Sequence, residues 1–248
     1  MNGATHAWHP YCGAAPVPGE LLGRWNFDPL LLLAVAALAI GWQIAIGRRH
    51  PDRSMAFYAA TGLVLILFVT PFCALTSALF SARVVHHVLL TAALAPLLVL
   101  SLPRTELPRV GSLAAWTALQ AVIFWVWHAP PLYSAALSSH AIYWLMQLSI
   151  LGCALGFWAA IRRASAPAAV GALLVTLVQM GLLGALITFA ATALYEPHFG
   201  TTAPWGFLPL EDQQLGGLVM WAPAAGFYLA AALVIAGKWL KAESRAAA

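Results

Sequence analysis

The chain has 248 residues, 62% hydrophobic and only 8% charged, with a formal net charge of +4 and a mean hydropathy of +0.84. Soluble domains carry about 25% charged residues, so this composition excludes an ordinary soluble enzyme or binding module and indicates a polytopic membrane protein. The small positive charge does not point to nucleic acid, because basic residues between apolar runs are first of all topological signals.

A helix crosses the bilayer in roughly 20 residues, and the apolar runs divide the chain into seven such segments. They are Pro29–Ile46, Met55–Leu75, Val84–Leu102, Val110–Trp127, His140–Ile161, Ala168–Leu194 and Gln213–Ala236. The expected fold is an all-α transmembrane bundle over residues 29–240, with an N-terminal tail of 1–28 and a short C-terminal tail of 241–248. No cleavable signal pattern is evident in the first 20 residues. The three cysteines, Cys12, Cys73 and Cys153, form neither a CxxC nor a zinc pattern.

Orientation follows from the basic residues. The first connection, Arg48-Arg-His-Pro-Asp-Arg53, is strongly basic and is assigned to the cytoplasm. Alternation then places ten of the twelve basic residues inside and leaves Arg24 and Arg83 outside. The N-terminus is therefore expected outside and the C-terminus in the cytoplasm. On this topology seven of the eight histidines gather at the outer face, His50 excepted, together with Glu20, Asp28, Glu196, Glu211 and Asp212. Taken singly, each histidine reads as an interfacial residue beside an aromatic belt of Trp25, Trp125, Trp127, Tyr133, Tyr143, Trp144 and Trp205. Spread over three helix ends, they read as potential metal ligands.

His86 and His87 stand at the start of the third run, about 100° apart around a helix axis. His87 lies one turn from Arg83, which reads as a partner for Glu211 or Asp212, and Pro96 is expected to kink the helix below. His128 is fixed at the end of the fourth run by Pro130 and Pro131, while His140 opens the fifth. In Leu208-Pro-Leu-Glu-Asp-Gln-Gln-Leu-Gly-Gly-Leu-Val-Met220, the acids suit a helix N-terminus. Asp212, Gly216 and Met220 also share one helix face, with Met220 roughly 12 Å deeper. A hard carboxylate above a soft thioether suits copper, whereas Met220 read alone is packing. Gly216 and Gly217 would admit a close helix, as would Gly152 and Gly156, and Gln120, Gln147 and Gln179 are expected to bond between helices. In the tail, His6, His9 and Cys12 are spaced three apart, either as a chelating arm or as a plain tail; Cys12 and Cys73 could also pair. His198 sits in the long loop before the last run.

Trp25-Asn-Phe-Asp-Pro29, Phe80-Ser-Ala, His87-Val-Leu-Leu, Ala95-Pro-Leu-Leu98, Trp127-His-Ala-Pro-Pro-Leu-Tyr133 and Leu210-Glu-Asp-Gln-Gln-Leu-Gly-Gly-Leu-Val-Met-Trp221 together resemble the CtaG family of cytochrome c oxidase assembly factors. This is the polytopic family linked to the caa3-type oxidase, and the similarity runs from about Trp25 to Leu240. The resemblance implies a non-enzymatic factor of the bacterial plasma membrane that helps mature the haem–copper oxidase through copper delivery. Its partners would be oxidase subunits, the bilayer, and copper or a copper chaperone. His87, His128, Glu211, Asp212, Gln213 and Met220 match family positions, with Arg83 and Gln213 as supporting residues and His86 and His140 as neighbouring ligands. His6, His9, Cys12 and His198 are accessory candidates. The chain departs from the family pattern where Arg83 replaces a histidine, Val84 and Val88 replace methionines, and Tyr143 and Gln147 replace a histidine pair.

Three other functions are weighed. A haem-binding electron carrier needs axial histidines within the bundle. A copper permease needs polar groups at mid-membrane. A membrane hydrolase lacks its usual HExxH or GxSxG motif here.

Overall fold

The computed structural model describes residues 8–107 and 110–246, and every element in it is helical. His6 and Arg109 lie outside the described residues. Five helices are long and apolar enough to cross a membrane: Pro29–Gly47, Phe80–Leu100, His140–Ile161, Ala166–Thr188 and Pro209–Ala246. A sixth crossing is available if Pro51–Phe68 and Pro71–Ala78, bent by 48°, form one span. The apolar helix Leu113–His128 is shorter, at 16 residues. This is a multi-pass helical membrane protein; the seven runs of the sequence survive as five long helices, one bent pair and one short helix.

Local chemistry explains the boundaries. Helix α1 (Pro29–Trp42) starts where the Asp28 carboxylate accepts from Leu30 N and Leu31 N, with proline in the first turn. It ends in a π turn, Gln43–Gly47. The second run was expected to be continuous, but it breaks into α2 (Ser54–Phe68) and α3 (Pro71–Ala78). Pro71 has no N–H to continue α2, and Thr70 Oγ1 instead accepts from Phe72 N to start α3. The third span begins at Phe80, not Val84: α4 (Phe80–Leu89) runs through a π turn, Leu90–Leu94, into α5 (Ala95–Leu100). A matching π turn, Met220–Ala224, joins α10 (Pro209–Val219) to α11 (Ala225–Ala246). Each of these two mid-span π turns adjoins or contains a proline, Pro96 or Pro223, whose missing N–H is absorbed by the wider turn. Helix α11 continues to Ala246, so Lys238, Lys241 and Arg245 are all helical.

The connection between α6 (Leu113–His128) and α8 (His140–Ile161) folds into a short helix, α7 (Pro130–Ser138). Pro130 and Pro131 end α6 and also open α7, because proline suits a first turn. Helix α9 (Ala166–Thr188) packs on α10 and α11.

The centre of the bundle is α4–α5 and α8, each with 56% of its span window buried, against 17% for α1 at the edge. Glycines set the closest contacts. A Cβ on Gly217 would meet Gly184 O at 2.7 Å, and one on Gly216 would meet the Phe80 ring at 2.7 Å, so α10 lies tightly between α9 and α4. Gly156 faces the Trp116 ring, whereas Gly152 faces open space, so only half of that expected pair packs.

Candidate functional site

The four-residue shift in the start of the third span moves its polar side chains from the rim to the interior. Arg83, His86 and His87 sit in the first turns of α4 with no exposed surface, and His128 at the end of α6 is 3% exposed. The rings of His86 and His87 are 5.9 Å apart between centroids, and those of His87 and His128 are 5.5 Å apart and nearly perpendicular. Three imidazoles thus form a row. Phe68 meets His86 edge-on, Phe72 stacks on it, and Phe124 packs on His128.

The hydrogen bonding of this row is incomplete. Both ring nitrogens of His86 and of His87, and Nε2 of His128, are buried without a hydrogen-bond partner. Buried polar atoms are normally bonded, and an orphan costs about 1–3 kcal/mol. His128 Nδ1–H donates to Phe124 O at 2.7 Å, which sets the tautomer and leaves Nε2 with a lone pair facing the interior. A metal-binding histidine characteristically donates its second N–H to a carbonyl in this way. Ring nitrogens of this kind are donors of the type that suits a transition-metal ion. Among the described residues no three His, Cys, Asp or Glu side chains converge as a metal group. What the fold supplies is the His87–His128 pair flanked by His86.

Arg83 differs from its expected role. It makes no ion pair with Glu211 or Asp212; its Nη2 donates to Thr76 O at 3.1 Å, and its guanidinium lies 5.3 Å from the Tyr143 ring centroid. Cation–π contact replaces the carboxylate. Tyr133 and Tyr143, expected in an interfacial belt, are fully buried, and Trp127 nearly so.

The two acids are helix caps. Leu79 precedes α4 and has no side-chain acceptor, so Asp212 reaches across from α10. Its carboxylate accepts from Phe80 N at 2.6 Å, Ser81 N at 3.2 Å and Ser81 Oγ at 2.5 Å. Glu211 closes its own helix by accepting from Leu208 N at 2.8 Å. Gln213 joins the end of α9 to α10: its Oε1 accepts from Leu194 N at 2.6 Å and its Nε2 donates to Ile187 O at 3.2 Å. Met220 is fully buried at the head of a π turn that packs against α4.

The remaining candidates are dispersed. His140 is exposed at the start of α8, edge-on to Tyr11 at 5.5 Å. His9 is exposed. Cys12 is joined to Cys73 in a disulfide, which leaves it no thiolate, and its sulfur lies 3.7 Å from the Tyr143 hydroxyl. His198 is buried with both nitrogens engaged: Nδ1–H donates to Ala78 O at 3.3 Å, and Nε2 accepts from the Tyr133 hydroxyl at 2.7 Å. Burial first, and then the Arg83 charge, push its pKa down to about 3.

The expected interhelical glutamine bonds form twice. Gln120 Nε2 donates to the Tyr228 hydroxyl at 3.3 Å, and Gln179 Oε1 accepts from Trp125 Nε1 at 2.9 Å. Gln147 is the exception, buried with both amide atoms unpartnered. The disulfide and the N-terminal segment form a strap that sequence spacing did not resolve: Tyr11 stacks on Tyr143, its hydroxyl donates to Asp28 at 2.5 Å, and Trp205 Nε1 donates to Pro16 O at 3.0 Å. The Tyr11 hydroxyl is the leading cause holding the Asp28 carboxyl below its usual pKa.

Apolar helices of membrane-crossing length, packed around a buried row of imidazoles, define a polytopic membrane protein. The chain belongs to the family described as cytochrome c oxidase caa3 assembly factor (Caa3_CtaG), which it matches over residues 32–242. No curated protein and no solved structure matches it. Membership makes the chain an assembly factor of the caa3-type oxidase, embedded in the membrane with the oxidase as partner.

Proposed function

We propose that this chain handles copper during maturation of the haem–copper oxidase, with His87 and His128 as paired ligands and His86 and Met220 beside them. Copper is here a cargo passed on, not a resident cofactor, and the chain carries out no chemical transformation. The observation that carries this reading is the His87–His128 pair: two rings 5.5 Å apart, with one tautomer set by Phe124 O and the remaining ring nitrogens left without hydrogen-bond partners. We place the site toward the extracytoplasmic end of seven crossings, in which the bent pair and α6 each span the bilayer. Two features support that sidedness. A disulfide ties the tail to α3 near the start of α4, and disulfides persist in oxidising compartments. Most arginines and lysines are assigned to the opposite end.

A Cu(I) titration against a competing chromophoric chelator, with the purified full chain, tests the reading. Wild type should take up one Cu(I), and His87→Ala and His128→Ala should each weaken it by at least about tenfold to a hundredfold, the loss that removal of a mere supporting partner of a metal ligand causes. Oxidase copper content in cells carrying either variant should fall. Unchanged uptake in both variants would remove the site. A Soret band in the purified protein would favour the haem alternative, since the imidazoles lie inside the bundle and not at its rim.

A further inference from the structure

At the end of the bundle away from the row of His86, His87 and His128, a cavity of about 840 Å³ opens where α5 and α8 end, α9 begins and α11 passes. Arg53, Arg104, Arg162 and Lys238 line it, from four separate elements, and no acidic side chain does. Asp52 lies 3.8 Å from Arg53 Nε and is 70% exposed, so that pairing is open to water. Two of the cations are held rigidly. Arg53 Nη1 donates to Leu100 O at 3.0 Å and to Leu102 O at 3.3 Å. Arg162 Nη1 donates to Leu102 O at 3.0 Å and also to Val99 O. The same four carbonyl contacts hold the two guanidiniums at the C-terminal end of α5, where carbonyls lack helical partners. Among the described residues, the side chains of Arg104 and Lys238 make no hydrogen bond or ion pair. Burial, followed by the charges of Arg53 and Arg104, lowers the pKa of Arg162, as expected where cations converge.

We propose that this cavity binds the phosphate headgroup of an anionic phospholipid. Four like charges in one concavity repel each other unless an anion joins them. The position selects a lipid over a soluble anion: the cavity lies at the ends of membrane-length helices, and its remaining wall is apolar, including Ile235 and Trp239. Trp239 is an aromatic of the type that settles at headgroup level, and Leu233 and Val234, one to two turns before it on α11, expose apolar surface along which an acyl chain can lie. Basic pockets between spanning helices recognise anionic headgroups by this combination of charge and apolar wall. The site is independent of the copper reading and requires only that the chain be embedded in a membrane.

The full chain in detergent, with added phosphatidylglycerol or phosphatidylcholine, tests it by native mass spectrometry and thermal unfolding. Phosphatidylglycerol should be retained and should raise the unfolding temperature more than phosphatidylcholine does, and raised salt should weaken the effect. The double variant Arg104→Gln/Lys238→Gln leaves the helix-holding arginines in place and should weaken phosphatidylglycerol binding about thirtyfold, at about 1 kcal/mol per cation. Equal effects of the two lipids, or a double variant that binds phosphatidylglycerol as wild type does, would overturn the proposal. Inorganic phosphate alone giving the same protection would replace the lipid with a soluble anion and overturn it equally.

Discussion

Asp212 is the residue whose role changes most between sequence and structure. On its own helix it reads as an N-terminal acid or a hard ligand, but its two oxygens receive three donors from the first turn of α4. Asp212→Asn would turn an NH2 group toward one of those donors, and a buried bond lost in this way costs about 1–3 kcal/mol. The variant should unfold at a lower temperature while the folded fraction keeps wild-type Cu(I) affinity; a selective loss of copper with unchanged stability would make it a ligand instead. His198 offers a pH test outside the spans. Its pKa is about 3 when folded, against an ordinary 6.5, so the native state holds the neutral ring. The stabilisation is complete above pH 6.5 and is lost as pH falls from there toward 3, by at most about 1.4 kcal/mol per pH unit. The protection factors of amides in the loop around Glu196–His198, taken relative to intrinsic exchange rates at each pH, should therefore fall on acidification, and His198→Gln should flatten that dependence.

At the scale of elements, two devices shape the bundle: proline-linked π turns and glycine contacts. The sequence shows Pro96 and Pro223, and a kink at each is a fair expectation. That the kink takes the form of a π turn follows from packing on both sides of the helix. Gly217→Ala should separate α9 from α10 at Gly184 and Thr188, costing about 1–3 kcal/mol as overpacking. Gly152→Ala meets nothing within 4 Å and should be neutral or slightly stabilising. Thermal unfolding of the two variants side by side checks the contrast. Pairs of small residues are visible in sequence, but which one faces a neighbour depends on how each helix is rotated in the bundle.

Over the whole molecule, the Cys12–Cys73 link ties the N-terminal segment across α3 and α8. It closes a separation of 61 residues, for which loop entropy implies a contribution of up to about 4 kcal/mol. Reduction, or Cys73→Ser, should lower the unfolding temperature and expose the segment before Pro29 to protease. Protection that survives reduction would mean that Tyr11 and Trp205 hold the strap without the bond.

Much of this architecture was legible beforehand because apolar length and basic loops are local properties. One run, His140–Ile161, is recovered at both ends, whereas the run read as Ala168–Leu194 ends at Thr188 in α9; the family motifs point to an oxidase assembly factor. Residue roles were less legible. His128 and His87 are only two polar residues near helix ends until packing sets their rings side by side. Glu211, Asp212 and Gln213 share one motif yet serve three different contacts. His140 looks equivalent to His86 in the chain but stays at the surface. By itself, then, the amino-acid order determined a helical membrane protein and its family, because burial in lipid demands long apolar helices whatever their neighbours. Only the tertiary structure decided which imidazoles lose their hydrogen-bond partners and which acids cap helices, because those outcomes depend on helix rotation and depth, set by contacts far apart in sequence.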